Sequence, residues 1–314
     1  MSTAPLLRIE GLEVAFADGG RRIRALRGLD LSLAAGERLA LLGESGSGKS
    51  TALFAIAGLL EPGAEVAGRI AFPALGRTPE AGRDLGLVFQ DPFASLDPVL
   101  DVATQIAEPI RYHLGASWAA ARAQAVVLLR RVGIARAEQR ARDAPHRFSG
   151  GERQRIAIAA AIAAGPRLLL ADEPTAALDT VTQAQILDLL DGLVREQRTA
   201  LLLVTHDPAV AARIADRIAV LYAGRCVEAG PSARLLAAPR HPYSRALLAA
   251  ALDLERPPPR PLPEIPGEPP DPTAELAGCP FAPRCAFAWA TCRSERPAWI
   301  GEPGDGAACH LLRP

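Results

Sequence analysis

The stretch Gly43-Glu44-Ser45-Gly46-Ser47-Gly48-Lys49-Ser50, followed by Thr51, decides how this chain folds. It fits the pattern G-x-x-x-x-G-K-[ST], whose glycines let backbone N–H groups converge on phosphate at a helix N-terminus. The apolar run Arg38 to Leu42 precedes it and the helical pattern Lys49 to Leu60 follows, so the glycines occupy a strand-to-helix loop. Lys49 is the single lysine among 35 basic residues. An ammonium enters a phosphate cradle as a compact point charge where a planar guanidinium is bulkier, so this one position needs lysine, to reach β and γ phosphates. Ser50 is placed to offer its hydroxyl to Mg²⁺, a hard cation that takes oxygen ligands.

Outward from the loop, Leu6 to Val14 and Arg24 to Leu33 alternate apolar and polar residues about Asp18-Gly19-Gly20, predicting an N-terminal antiparallel hairpin. Short apolar runs at Leu85 to Val88, Leu168 to Ala171, Ala200 to Val204 and Arg217 to Leu221 read as buried strands, separated by helical segments such as Val181 to Arg198. The fold class expected is α/β: a phosphate-loop NTPase core with a mainly parallel sheet, an N-terminal antiparallel β subdomain and an inserted helical subdomain at about 92–165. Val102 to Arg142 supplies the helical spacing of that insert. Prolines crowd Arg256 to Pro272, favouring an extended linker. The expected division is a nucleotide-binding domain over 1–255, a linker over 256–278 and a small extension over 279–314, too poor in large apolar residues to form its own core and so organised by its cysteines.

Leu168-Leu169-Leu170-Ala171-Asp172-Glu173 is an apolar strand ending in two acids. Asp172 is the expected metal-side carboxylate, and Glu173 the general base for the attacking water. Phe148-Ser149-Gly150-Gly151-Glu152 stands before the apolar helix of Ile156 to Ala164 and offers a second set of N–H groups at a helix start.

With this Ser-Gly-Gly segment the chain, over about Leu6 to Leu252, resembles the ATP-binding cassette family. Phe148 stands where many cassettes carry leucine. The resemblance implies that Ser149, Gly150, Gly151 and Glu152 press on the γ-phosphate held by a partner cassette, and that Phe16 stacks on adenine. Gln90 would link metal and water to the transport domains, Asp179 would join the two cassettes, and His206 would sense the γ-phosphate. It further implies hydrolysis of ATP with Mg²⁺ in a head-to-tail pair of ATPase subunits, commonly two paralogues, driving two membrane permease subunits.

Gln90-Asp91-Pro92-Phe93-Ala94-Ser95-Leu96-Asp97-Pro98, Pro145-His146 and Pro239-Arg240-His241-Pro242-Tyr243-Ser244-Arg245 narrow the likeness to the dipeptide and oligopeptide importer ATPases, which work with an extracytoplasmic solute-binding protein. Cys279, Cys285, Cys292 and Cys309 resemble that group's C-terminal extension, which holds a four-iron four-sulfur cluster. Their intervals of five, six and sixteen residues lack a C-x-x-C knuckle, so spacing alone leaves a cluster, a zinc site that includes His310, and free thiols all open. Cys226 falls in a strand-like segment and is read as a small buried residue.

Composition excludes several classes. Lys plus Arg and Asp plus Glu are each 35, so no broad basic surface suits nucleic acid. The longest apolar runs fall well below the roughly 18 residues a bilayer-spanning helix needs. Met1 to Pro5 lacks the charged and apolar regions of a secretory signal, which predicts a chain on the cytoplasmic face of the membrane. The alternatives weighed are the same role for nickel or glutathione-like cargo, and a cassette ATPase of nucleic-acid maintenance or translation, against which stand the single cassette and the absence of heptads.

Overall fold

The computed structural model describes residues 4–176, 178–250 and 264–312. Residues 256–263 of the proline-rich segment lie outside them. Strands run in the order β1 (Leu7–Asp18), β2 (Arg21–Leu33), β3 (Arg38–Leu42), β4 (Glu65–Ala71), β5 (Leu85–Val88), β6 (Leu168–Asp172), β7 (Ala200–Thr205) and β8 (Arg217–Tyr222). The last three are β9 (Arg225–Pro231), β10 (Ile300–Glu302) and β11 (Asp305–Ala307). The helices are α1 (Lys49–Ala57), α2 (Pro92–Ser95), α3 (Val102–Leu114), α4 (Trp118–Arg131), α5 (Ala137–Arg140), α6 (Gly150–Ile162), α7 (Thr180–Gln197) and α8 (Pro208–Ile214). Three short ones follow: α9 (Ser232–Ala237), α10 (Pro242–Ala250) and α11 (Ala290–Ser294).

Two compact units interleave along the chain: one comprises residues 1–6, 34–37 and 72–203, the other 7–33, 38–71 and 204–314. In the first, β6 lies between β5 and β7, and β5 pairs with it in parallel from Leu85 opposite Leu168 to Val88 opposite Ala171. All five residues of β6 and all six of β7 are buried, which is why they read as unbroken apolar runs without alternation. The helical insert is built from α3, α4 and α5; Asp101 caps α3 through Thr104 N–H at 2.8 Å and Ser117 caps α4 through Ala120 N–H at 3.2 Å.

In the second unit β1 pairs antiparallel with β2, as the alternation predicts, with the turn at Gly19-Gly20. A third strand, β4, lies on the other side of β1 and was not foreseen, because Glu65-Val66-Ala67-Gly68-Arg69 is exposed and lacks an apolar face. Gly68 has φ +88°, and a Cβ there would sit 2.4 Å from Gly11 O, so only glycine allows β4 this approach.

The same unit carries β3 in parallel with β8. The expected parallel sheet changes character here: β8 pairs antiparallel with β9, β9 with β11, and β11 with β10. The C-terminal extension therefore continues the sheet of β8 and β9 by main-chain pairing. Its Phe281, 2% exposed, enters the core of Leu42, Val220, Tyr222, Leu235, Tyr243 and Leu247. The sequence-based expectation rested the order of this segment on its cysteines, and Cys279 and Cys285 do pack against this core. A large buried aromatic and a sheet edge add order that the sequence did not announce.

Candidate active site

The phosphate loop is shaped by its glycines. Gly46 and Gly48 have φ of +76° and +98°. A Cβ on Gly48 would lie 2.5 Å from Ala25 O and 2.9 Å from Leu26 Cδ2, so the loop passes against β2 too closely for any side chain. Gly48 is also the N-cap of α1 and supplies no side-chain acceptor to the first turn. The N–H groups there lack the usual Ser, Thr or Asp cap and point along the positive end of the helix dipole, which suits an anion.

Lys49 is buried, its Nζ donating to Gly43 O at 2.8 Å and Glu44 O at 2.9 Å. The ammonium is thereby folded back over the loop, where phosphate oxygens would replace or join those carbonyls. Ser47 O accepts from Gly224 N–H at 3.0 Å and Gly224 O accepts from Arg27 N–H at 2.9 Å, tying the loop to the β8–β9 turn and to β2. Phe16 is half-buried on β1 opposite Ile23. His206 is exposed just past β7, directly before the Asp207 cap of α8.

Two features of this neighbourhood escaped the sequence. Tyr243 Oη accepts from Glu44 N–H at 2.8 Å, so one of the loop's amides is held by α10. Arg284, from the C-terminal extension, donates to both carboxylate oxygens of Glu44, at 2.8 and 3.1 Å, and also to Pro266 O, Ile265 O and Tyr222 Oη. Burial alone would lower the Arg284 pKa, but Glu44 and Tyr222 hold it well above the usual range. The only signal in the sequence was an arginine between Pro283 and Cys285, which has no pattern of its own.

In the other unit Asp172 ends β6 and is buried, and Glu173 follows with φ +43°, a conformation rare for a residue with a side chain. Such strain collects where a carboxylate must be aimed, and Glu173 is the residue expected to act as base. Gln90 is exposed after β5. Ser149 caps α6 in a reciprocal box: its Oγ accepts from Glu152 N–H at 3.3 Å, and Glu152 Oε2 accepts from Ser149 N–H at 2.9 Å. Burial works against charge on Glu152, yet Arg140 and the Ser149 N–H hold its carboxyl below the usual range. Arg140 also lies over the Phe148 ring, 4.1 Å from its centroid.

The fold joins this segment to the Asp179 segment, which sequence spacing did not reveal. A Cβ on Gly151 would meet Thr182 Cγ2 at 2.6 Å, and Thr182 N–H and Oγ1 both donate to Asp179, at 3.0 and 2.7 Å. Gly151 is therefore glycine because α6 and α7 start against each other. Asp179 also accepts from Val181 N–H at 3.1 Å, and these hydrogen bonds keep its carboxyl below the usual range. Ala177 lies outside the described residues.

Cys279, Cys285, Cys292 and Cys309 line one cavity of about 20 Å³ with His241 and His310. Burial raises the thiol pKa values of Cys279, to about 11, and of Cys285 and Cys309, and neighbouring thiols add to each effect. Among the described residues no group of three or more His, Cys, Asp or Glu side chains stands close enough to mark a metal site, although the four thiols line one cavity. Four thiols are the right donors in kind for soft-metal chemistry, and none of them is in a disulfide. His310 Nε2 lies 3.0 Å from Glu295 O, which gives that ring nitrogen a backbone partner. Cys226 stands apart on β9, its Sγ 3.5 Å from Glu228 O and its pKa pushed up to about 12 by burial.

Residues 26–176 match the ABC transporter family and residues 227–292 match the oligopeptide/dipeptide transporter C-terminal region. A peptide import ATP-binding protein of Brucella abortus (strain 2308) is 41% identical over 98% of this chain and 96% of its own length. A second of that description from Brucella ovis is 43% identical, covering 95% of this chain and 94% of its own. Among solved structures, a dimeric post-hydrolysis ATP-binding cassette bound to ADP and Pi aligns with a TM-score of 0.63 at 30% identity, over 72% of this chain and 98% of that one. The cassette cbiO1 of Clostridium perfringens, part of the ABC transporter complex cbiONQ, gives 0.63 at 28% identity, over 75% and 92%.

The chain belongs to the ATP-binding cassette family of transporter ATPases. Within that family it carries the C-terminal region of the oligopeptide and dipeptide branch, so it is the ATP-binding and ATP-hydrolysing subunit of an ABC importer. Among the described residues no helix is long and apolar enough to cross a membrane, and the family implies permease subunits and a substrate-binding protein as partners.

Proposed function

We propose that this subunit powers uptake of dipeptides and oligopeptides from the cytoplasmic face of the cell membrane, docked on two permeases and paired with a paralogous ATPase. One observation carries the peptide assignment: the segment matched by the oligopeptide branch is built into the nucleotide site, through Arg284 on Glu44. ATP with Mg²⁺ supplies the cleavable phosphoanhydride. Gly43 to Thr51 would hold its phosphates, with Lys49 neutralising charge as it develops, and Phe16 would support the base. Ser50, Asp172 and Gln90 supply the oxygens suited to the metal. Glu173 takes the proton of the attacking water and His206 holds the γ-phosphate side of the site. The capped Ser149–Glu152 segment faces the nucleotide of the partner cassette, and Asp179, at the start of the adjoining helix, lies at the same junction. Binding then closes the pair and hydrolysis releases it, a population shift between two states.

Uptake of labelled dipeptides and oligopeptides, with nickel in parallel, is measured in cells whose only copy is wild type or Glu173→Gln. Loss of peptide uptake alone in the variant supports this function; loss of nickel uptake alone, or no loss of any cargo, refutes the peptide assignment. The four-iron four-sulfur proposal for Cys279, Cys285, Cys292 and Cys309 rests on their sharing one cavity. It predicts iron and sulfide in anaerobically purified protein and their loss in Cys292→Ser; zinc alone would assign the thiols to zinc.

A further inference from the structure

One cavity in the unit of β1, β2 and the C-terminal extension takes no part in the chemistry above. Its volume is about 550 Å³, within the range of small-molecule sites, and β1, β2, β8, β9 and the extension all contribute to its wall. Ile9, Leu31, Val227 and Pro297 give it an apolar lining, and the Trp299 ring stands at its side.

Against that lining stand four arginines, Arg8, Arg217, Arg225 and Arg296, and only two carboxylates, Glu10 and Asp30. Asp30 is engaged by Gly11 N–H at 2.7 Å. Arg217 donates to Ser32 O. Arg225 differs: its Nη1 is buried and has no hydrogen-bond partner. Burial, then Arg296 and Arg27, push the Arg225 pKa down to about 10, against which the charge of Glu13 is the smallest influence. A guanidinium that is desolvated, crowded by like charge and left with an unsatisfied donor is costly unless an anion completes it. Arg225 and Arg296 line the same cavity as Ile9, Leu31 and Val227, so two guanidinium groups border an apolar space.

We infer that this cavity is a binding site for a small organic acid, its carboxylate taken by Arg225 and Arg296 and its apolar or aromatic body lying along Trp299 and Pro297. A planar guanidinium meets a carboxylate with two parallel N–H···O bonds, and the unpaired Nη1 leaves the Arg225 guanidinium short of an acceptor. The site is separate from the phosphate loop and its occupancy is read without transport.

The test uses the full chain with Trp118→Phe and Trp289→Phe, so that Trp299 is the one fluorescent indole, in saturating ADP to fill the phosphate loop. N-acetylphenylalanine, N-acetylphenylalanine amide and inorganic phosphate are titrated separately, by fluorescence and by calorimetry. The acid is expected to bind, the amide and phosphate to bind at least about tenfold more weakly, and Arg225→Gln or Arg296→Gln to weaken the acid about tenfold or more. Arg225→Lys controls for folding and retains part of the affinity. Equal binding of acid and amide, phosphate binding as tightly as the acid, no saturable binding, or an acid affinity unchanged in both glutamine variants each overturns the assignment.

Discussion

Arg284 and Glu44 are 240 residues apart and form a two-pronged ion pair, Nη1 to Oε2 at 2.8 Å and Nη2 to Oε1 at 3.1 Å, with the arginine side chain 4% exposed and the glutamate 27%. A residue of the phosphate loop is thereby held from the C-terminal extension. Tyr243 grips the backbone of the same residue, and Tyr243, Tyr222 and Phe281 stack around the pair with ring centroids 4.5 to 5.3 Å apart.

Removing Arg284 leaves Glu44 without its partner inside a partly dry pocket. Arg284→Met is expected to cost about 2–4 kcal/mol of stability. The KM for ATP should rise more than kcat falls, since loop placement precedes chemistry. Arg284→Lys, which keeps charge and loses the fork, should recover part of the affinity. Denaturant unfolding and steady-state ATPase of Arg284→Met, Glu44→Gln and the double variant give the coupling; strict additivity of the two single effects would show that the pair does no joint work.

Gly48→Ala places a methyl 2.5 Å from Ala25 O in a left-handed backbone. The loop must move to relieve this, so nucleotide binding should fall by at least about tenfold, with a stability loss of roughly 1–3 kcal/mol. Equilibrium binding of a fluorescent ATP analogue checks it, and near-normal affinity would contradict the close packing of loop on β2.

Ser149→Ala removes a cap that in itself is worth about 1 kcal/mol to α6. If Ser149 also serves the partner's nucleotide, ATPase activity of the assembled transporter should fall by more than this small stability loss accounts for. ATP binding to the isolated subunit should hardly change. A Tm shift with unaltered transporter ATPase would reduce Ser149 to a cap.

His241 is 1% exposed, its Nδ1 accepts from Tyr243 N–H at 3.0 Å, and its Nε2 is buried without a partner. Burial, and then Arg245, lower its pKa to about 4. The unfolded chain, with a histidine pKa near 6.5, takes up a proton first as pH falls, so stability is complete above about 6.5 and is lost progressively down to about 4. Between about pH 7.5 and about pH 5 this amounts to roughly 2 kcal/mol. His241→Asn, which keeps an acceptor for Tyr243 N–H, should lose that much less on acidification in urea titrations; an identical acid slope in both proteins would place the titration elsewhere.

Local pattern carried the sequence a long way here, because it is governed by neighbours along the chain. Gly43 to Ser50 between an apolar run and a helix, the acids closing β6, and the Ser149 cap all rest on contacts within a few residues. Buried parallel strands were visible as apolar runs for the same reason, as was the hairpin from its alternation. Strand β4 was not, since its exposed face carries no period and its place depends on Gly68 meeting Gly11 across the sheet. Tertiary structure alone decided that β11 pairs with β9 and that Phe281 completes a core of residues from Leu42 to Leu247. It also decided that Gly151 meets Thr182 and that four thiols far apart in sequence share one cavity. The Arg284–Glu44 pair belongs with these: an arginine has no periodicity to announce its partner, and only the folded backbone brings position 284 to position 44.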